Sequence, residues 1–596
     1  MTIYRPAILR LLIFAITFLV FARLTTCEFT WWDDQDTIHQ NPRLNPPTLQ
    51  TLGFYWTTAG EQTTMGLYVP VTYMLWSGLA KINTLDRVDA NGTSLNAHVF
   101  HTANVLIHAL TAVLVFSLLL RLFGNDIAAA LGALLFALHP VQVESVGWIS
   151  GTKDLLCGFF SVAALLMYVR SVQVRQPIPA SRSPGHREHT DLAPSDPVVR
   201  DGLDAGLGVL ECEATHLPHK HWPLRWQYFL GLLFFIFGML SKPTAVVVPL
   251  MAATIGIVLL HRPIKKTLAE LMFWFVFMIP CLIWTKLVQP ARWESGLPLW
   301  TRPIVAVDAV AFYLYKLVWP IHLCIDYGHT PQAIVQNHFI YFSWILPAAV
   351  VGLLWWKSSR CRPAIAAGLL FLMPLLPVLG FVGFEFQQIS TTSDHYLYLP
   401  MLGVAALATW WLGKRQSWKK IMAAIAILIA LSIRCILQEP TWQDTRSLFY
   451  HALAVNPNSV VSSDGLGFLT GREAREMTDP SKARLLFDQS IAWYERSLRG
   501  DPTSVPSLFN LALDYKAIGQ IDRGRQLMHR IVELQPQLPQ GLRVEPILLA
   551  RRLHDFPDLP DTISWLDEVI RRDPGNQKAI YLREQAIQAA EHKRTK

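Results

Sequence analysis

Two adjacent carboxylates, Asp33 and Asp34 in FTWWDDQDTIHQNP (29–42), stand just past an apolar segment long enough to cross a bilayer. A carboxylate held at a membrane surface can take the proton from a hydroxyl and make it a nucleophile. Further ionisable residues recur at the ends of other apolar segments. These are Glu144, Lys153 and Asp154 in HPVQVESVGWISGTKDLL (139–156), Lys242 in LSKPT (240–244), Arg302, and Asp394 and His395 in TTSDHYLYLP (391–400). Charges of both signs so placed could line an interfacial site. Taken singly, each is a solvated loop residue or, for Lys153 and Lys242, a lysine snorkelling to the headgroups. Their collection at span ends, with charges of both signs, is what a shared interfacial site would produce.

The elements that must position them are membrane helices. Of 596 residues, 52% are hydrophobic and only 16% charged, against about 25% charged in soluble domains. The net charge of +8 falls in short basic clusters between apolar runs, the pattern of cytoplasmic loops, which argues against nucleic-acid binding. The seven cysteines are scattered and form no CxxC pair, so neither a disulfide framework nor a structural zinc site is indicated. Apolar runs lie near residues 7–26, 97–120, 126–142, 154–170, 226–241, 243–260, 268–288, 303–321, 339–356, 363–383, 395–412 and 419–437. Basic residues at Arg5 and Arg10, in 171–225, and in HRPIKK (261–266), KSSRCR (357–362) and GKRQSWKK (413–420) all mark the cytoplasmic side.

Keeping both 266 and 357 inside demands an even number of crossings, so one of the three runs between them does not span. The run 303–321, with Asp308 and Lys316, is the one suited to an interfacial or re-entrant helix. About 11 spans remain, with the N-terminus cytoplasmic and the C-terminus outside. That parity puts 27–96, 143–153, the Ser241–Pro243 turn, 289–338 and 384–394 on one outer face, with the ionisable residues named above.

The fold class is therefore all-α, a polytopic membrane domain over 1–440 followed by soluble helical repeats over 441–596. From Pro502 to Pro536 the spacing matches one tetratricopeptide repeat. Leu508, Leu511, Ala512 and Tyr515 fall at first-helix packing positions, Gly519 at the turn, and Ser490, Tyr494 and Ser497 at second-helix positions of the unit before. Stacked helical hairpins form a concave surface suited to an extended peptide, or act as a structural cap. The Pro-, Arg-, Asp- and His-rich loop 171–225 reads as a disordered cytoplasmic segment, with Cys212, His216, His219 and His221 solvated rather than metal-bound. The Asn91-Gly92-Thr93 sequon is too short to carry weight.

In order along the chain, WWDDQDTIHQNP, LYVPVTYMLW, FHTANVLIHALTAVLVF, LLFALHPVQVESVGWISGTKDLL, LSKPTAVVVPL and DHYLYLPMLG, followed by the repeats, resemble one family. It is that of the transmembrane and tetratricopeptide-repeat (TMTC-type) O-mannosyltransferases and their bacterial relatives, which have the GT-C glycosyltransferase fold. The resemblance implies transfer of a sugar, typically mannose, from a polyprenyl-phosphate donor to a hydroxyl of a protein acceptor on the outer or lumenal face, with inversion. It assigns catalysis to Asp33 or Asp34, with Asp33 favoured as the base and Asp34 orienting it or binding sugar. Lys153, Asp154, Lys242, Glu144, His395 and Arg302 then hold the donor phosphate or sugar.

The chain departs from the bacterial pattern in two places. Thr152 stands where those relatives tend to have Arg, and His395 where they have Arg after the acidic residue. A neutral His is the weaker phosphate partner. No cofactor is demanded. A divalent metal at Glu144 stays open, although His139 and Glu144 lack the i, i+4 spacing of a helical ligand pair. Two other classes compete: a non-enzymatic membrane scaffold that binds proteins through its repeats, and a transporter with His108 and Asp308 near mid-bilayer.

Overall fold

In the computed structural model, the described residues are 5–57, 67–82, 94–173, 224–288, 298–337, 340–356, 362–381, 385–414, 417–534 and parts of 563–587. The expectations for 174–223, for the sequon at 91–93 and for most of the 357–362 basic cluster lie outside them. The described chain is helical, as its composition requires. The helices are α1 (Arg5–Val20), α2 (Leu49–Thr57), α3 (Pro70–Ile82), α4 (Ala97–Phe123), α5 (Asp126–Leu138), α6 (Gln142–Gly147), α7 (Thr152–Gln173) and α8 (Leu224–Ser241). They continue as α9 (Val248–Thr254), α10 (Ile264–Val288), α11 (Arg302–Val318), α12 (Pro331–Gln336), α13 (Ile340–Ser343), α14 (Ile345–Trp356), α15 (Arg362–Leu372), α16 (Met401–Lys414) and α17 (Trp418–Gln438). The repeats are α18 (Thr445–Val455), α19 (Val460–Glu476), α20 (Pro480–Gly500), α21 (Val505–Ala517) and α22 (Ile521–Leu534).

Among the described residues, four helical segments are long and apolar enough to cross a membrane: Ala97–Phe123, Ile149–Gln173, Ile264–Thr285 and Trp418–Trp442. Shorter apolar helices account for Asp126–Leu138, Trp226–Ser241, Pro243–Leu259, Tyr341–Leu353 and Arg362–Val378. Prolines explain two interruptions, since Pro374 and Pro400 stand where a run read as continuous changes its helical geometry or begins a new helix. The helix over the expected re-entrant run, α11, is not among these apolar segments. Its Lys316 is buried and donates to the carbonyls of Ile321 and His322 at 2.8 and 3.0 Å. The segment containing α7 is 83% buried whereas that of α10 is 17% buried, so α7 is the central pillar and α10 lies at the rim.

Membrane helices and repeats share one hydrophobic core. Leu448, Phe449, Ala452, Leu453 and Leu466 belong to the cluster that includes Val141, Val143, Leu323 and Ile325. Polar ties reinforce the junction: Ser459 Oγ donates to Asp326 at 2.6 Å, and His451 Nε2 meets the Leu323 carbonyl at 2.8 Å. The first loop joins in as well, the Glu28 amide donating to the Gln443 carbonyl at 2.9 Å and the Trp31 amide to Thr445 Oγ1 at 3.1 Å.

Of the repeat positions read from the sequence, Ser490, Tyr494, Ser497, Leu508, Leu511 and Ala512 are buried, Tyr515 is only half-buried and Gly519 turns the chain at φ 82°, while Pro536 lies outside the described residues. Between the repeats Asp514 is fully buried, accepting from Ser490 Oγ at 2.5 Å and from Arg475 at 2.8 Å. Burial still pushes its carboxyl up to about 6.

A carboxyl raised in the folded state contributes full stability below its unfolded value near 4, and loses it as pH rises through about 6. Asp514→Asn, which cannot ionise, is therefore expected to protect α20 and α21 from hydrogen exchange more than wild type at pH 7.5. That advantage should vanish by about pH 4.

Candidate functional site

The first loop is locked into the membrane helices through Asp34. Its Oδ2 accepts from the Thr30 amide (3.1 Å) and hydroxyl (3.0 Å), and its Oδ1 from the Ser150 amide (2.9 Å). The residue is completely buried, and burial pushes its carboxyl up to about 7. Trp148 Nε1 donates to the Trp32 carbonyl at 2.6 Å, and the Thr37 and Ser150 hydroxyls meet at 2.8 Å. Beneath them, Thr152 Oγ1 lies 2.6 Å from Asn104 Oδ1, and the Asn104 amide donates to the Trp148 carbonyl at 2.9 Å. The turn into α7 is so tight that a Cβ on Gly151 would sit 2.6 Å from the Ser145 carbonyl oxygen.

Asp33 stands at the other pole of the pair. It is half-buried and takes a left-handed backbone at φ 71°, rare for a residue with a Cβ. The π-helical turn Gln35–His39 follows at once. Strained residues and π-turns gather at functional sites. The adjacent carboxylates thus differ in environment: Asp34 is buried and ties down the loop, whereas Asp33 is half-buried.

Lys153, in the first turn of α7, is buried over the Trp148 ring, its Nζ 5.4 Å from the centroid. Among the described residues its ammonium makes no hydrogen bond and no ion pair. Lys242 Nζ pairs with Asp154 Oδ1 at 2.6 Å and lies 5.6 Å from the centre of the Tyr396 ring, while Asp154 Oδ2 is buried without a partner. A buried cation lacking an acceptor, beside a carboxylate oxygen lacking a donor, is the arrangement of a site that receives a polar, partly anionic guest.

Glu144 forms the floor. Its Oε1 contacts Ser393 Oγ (2.7 Å) and His395 Nδ1 (2.6 Å), and its Oε2 accepts from the Asp394 amide (3.1 Å). Burial pushes the Glu144 carboxyl up to about 8 and drives the His395 imidazole down to about 3. His395 is thus engaged as a hydrogen-bonding partner of Glu144 and Ser393. Ser393 and Glu144 both meet the same imidazole nitrogen, so the three do not form a serine–histidine–acid relay, which needs both nitrogens. Asp394 is also buried, and burial and then Glu144 raise its carboxyl; Tyr327 donates to its oxygens at 2.8 and 3.0 Å.

Asp33, Asp34, Glu144, Lys153, Asp154, Lys242 and His395 thus converge. Arg302 stands apart in its contacts, donating to the Phe381 carbonyl at 2.9 Å. Among the described residues no group of three or more His, Cys, Asp or Glu side chains is arranged to hold a metal, and the oxygens of Glu144 are already engaged. His108, considered for a transporter, is held by Tyr398 and the Ala137 carbonyl, both at 3.1 Å. Sequence reasoning passed over Thr30, Trp148, Ser150, Ser393 and Tyr396. All lie inside the quoted motifs, but as common residue types only their contacts reveal them.

An apolar cavity of about 270 Å³ opens beside Lys242. It is lined by Tyr68, Leu240 and Pro243 on one side and by Phe277, Pro280 and Trp284 of the rim helix α10 on the other.

No family model matches the chain. Along most of its length it is similar to proteins of the TMTC type. The human Protein O-mannosyl-transferase TMTC3 is 20% identical over 560 residues, 90% of this chain and 56% of that protein. The human Protein O-mannosyl-transferase TMTC4 is 23% identical over 493 residues, 75% of this chain and 62% of that protein. The Drosophila melanogaster Protein O-mannosyl-transferase Tmtc3 is 21% identical over 629 residues, 95% of this chain and 63% of that protein. The chain spans less than two thirds of the length of each.

The division of labour between the two acids is testable by thermal unfolding in detergent. Asp34→Ala, which removes the acceptor of three buried hydrogen bonds, should destabilise the protein by about 3 kcal/mol or more. Asp33→Asn should leave the transition within about 0.5 kcal/mol of wild type.

Proposed function

We propose that this chain, similar to the TMTC-type O-mannosyltransferases, is a membrane mannosyltransferase. It moves mannose from a polyprenyl-phosphate donor to serine or threonine hydroxyls of proteins on the outer or lumenal face. The observation that carries the reading is the buried Lys153 ammonium over Trp148, which makes no hydrogen bond among the described residues and is next in the chain to Asp154, whose buried Oδ2 lacks a partner. A buried cation is costly unless an anion pairs with it, and the donor phosphate would supply that anion. The apolar cavity lined by Leu240 and Pro243, which flank Lys242 in the chain, supports a prenyl tail, since its other wall belongs to the apolar helix α10.

Asp33 is the base. It takes the proton as the acceptor oxygen attacks the anomeric carbon opposite the phosphate. The new carbon–oxygen bond forms while the sugar–phosphate bond breaks, its electron pair leaving on the phosphate oxygen. One displacement gives inversion and needs no covalent sugar–enzyme intermediate. Lys153 stabilises the charge that grows on the departing phosphate. Lys242 shares its charge with Asp154 and orients that carboxylate, whose buried Oδ2 would accept a sugar hydroxyl. Glu144 and His395, hydrogen-bonded to each other, form a polar floor to the sugar site.

The test is transfer of labelled mannose from polyprenyl-phosphate mannose to membrane proteins by the purified chain. Asp33→Asn should abolish transfer. Lys153→Met should reduce kcat about 10²- to 10³-fold, the range seen when one stabilising donor is lost from a transition-state site. Full activity in Asp33→Asn would overturn the assignment of the base, and inertness of wild type towards every lipid-linked sugar would favour a scaffold.

A further inference from the structure

The loop that carries Asp33 does not end in solvent; it leans on the repeats. The Trp31 ring packs against Phe468 of α19 with centroids 4.7 Å apart, and the Arg472 guanidinium lies 4.9 Å from the centre of the Trp31 ring. The Trp31 amide is fixed by Thr445 Oγ1, the first residue of α18. All three side chains of the stack are half-buried rather than sealed into the core. Phe468 and Arg472 are four residues apart on α19, and so form a line about 6 Å long on one helix face. Neighbouring positions of α19 are committed to the next helices: the Gly467 carbonyl accepts from Ser490, and Arg475 pairs with Asp514.

We infer that Trp31, Phe468 and Arg472 form the acceptor-side wall of the site and bind an extended polypeptide next to the hydroxyl that receives the sugar. This rests on the transferase reading for calling that polypeptide an acceptor. Trp31 and Asp33 are two residues apart, so their backbones are separated by at most about 7 Å. A peptide whose hydroxyl reaches Asp33 therefore lays its neighbouring residues against Trp31, one or two positions from the modified residue. The stack then leads the peptide away from the base and along α19. A single blocked amino acid cannot touch both Asp33 and Arg472 in this way, whereas a chain of several residues can. An aromatic ring with an arginine over it is the pairing that dominates peptide-binding surfaces, because it offers a large rigid face at small entropic cost.

The experiment uses the full chain in detergent and a fluorescein-labelled, Ser/Thr-rich dodecapeptide pool, with binding followed by anisotropy and transfer by labelled mannose. Phe468→Leu and Arg472→Gln are the main variants, because Trp31→Ala also risks loosening the loop; thermal unfolding verifies that each is folded. Both should weaken peptide binding about tenfold. In the transfer assay the loss should fall on KM for peptide, with kcat at saturating peptide kept within about twofold. Equal binding by wild type and both variants overturns the inference. So does a loss confined to kcat, since that marks a role in holding the Asp33 loop alone. Wild type that binds the pool but transfers nothing from any lipid-linked sugar sinks the transferase reading and leaves this peptide surface standing.

Discussion

The buried Asp34 carboxylate is the constraint from which the rest of the mouth follows. Its oxygens join Thr30 of the first loop to Ser150 at the head of the central helix α7. That clamp acts with the Trp148–Trp32 and Thr37–Ser150 hydrogen bonds to fix the loop against the head of α7, beside Lys153. It works because the buried carboxylate satisfies two backbone amides and a hydroxyl at once, one of the amides being that of Ser150 just before the start of α7.

Much of this was legible in the sequence, and the reasons differ by element. Apolar length and positive clusters are bulk properties, so the membrane character could be read directly. The repeat register could be read too, because small and aromatic residues at fixed spacing pack only one way. The adjacency of Asp33 and Asp34 was visible, but not their separate roles. Those depend on a positive φ and on partners more than a hundred residues away, such as Ser150, which no local pattern encodes. The same holds for Glu144 and Ser393, separated by 249 positions in the chain and 2.7 Å in space. Arg302 was grouped with the site by parity and charge alone, and its contact with Phe381 shows how little those say about side-chain direction. The count of spans is equally beyond composition, since prolines break two apolar runs into short helices.

The site also shows how opposite electrostatic strategies can share one mouth. Glu144 and His395 are buried and hydrogen-bonded to each other. Lys242 and Asp154 form an ion pair. Lys153 is buried over the Trp148 ring, and among the described residues its ammonium makes no hydrogen bond. Hydrogen-bonded, ion-paired and ring-stacked groups thus sit within one cluster, and each environment fixes what its residue can do.

Composition changes at about residue 440, and a gene-level division into membrane and repeat modules would be drawn there. The shared core draws it later, because Leu448, Phe449, Ala452, Leu453 and Leu466 pack with the membrane helices rather than with the outer repeats. The first hairpin is thus physically part of the membrane domain, and the cluster of Ile491, Tyr494 and Leu511 begins a separate core. The helical array can therefore be lengthened, shortened or exchanged beyond α19 without opening the membrane domain's own interior, whereas the first hairpin is inherited with that interior.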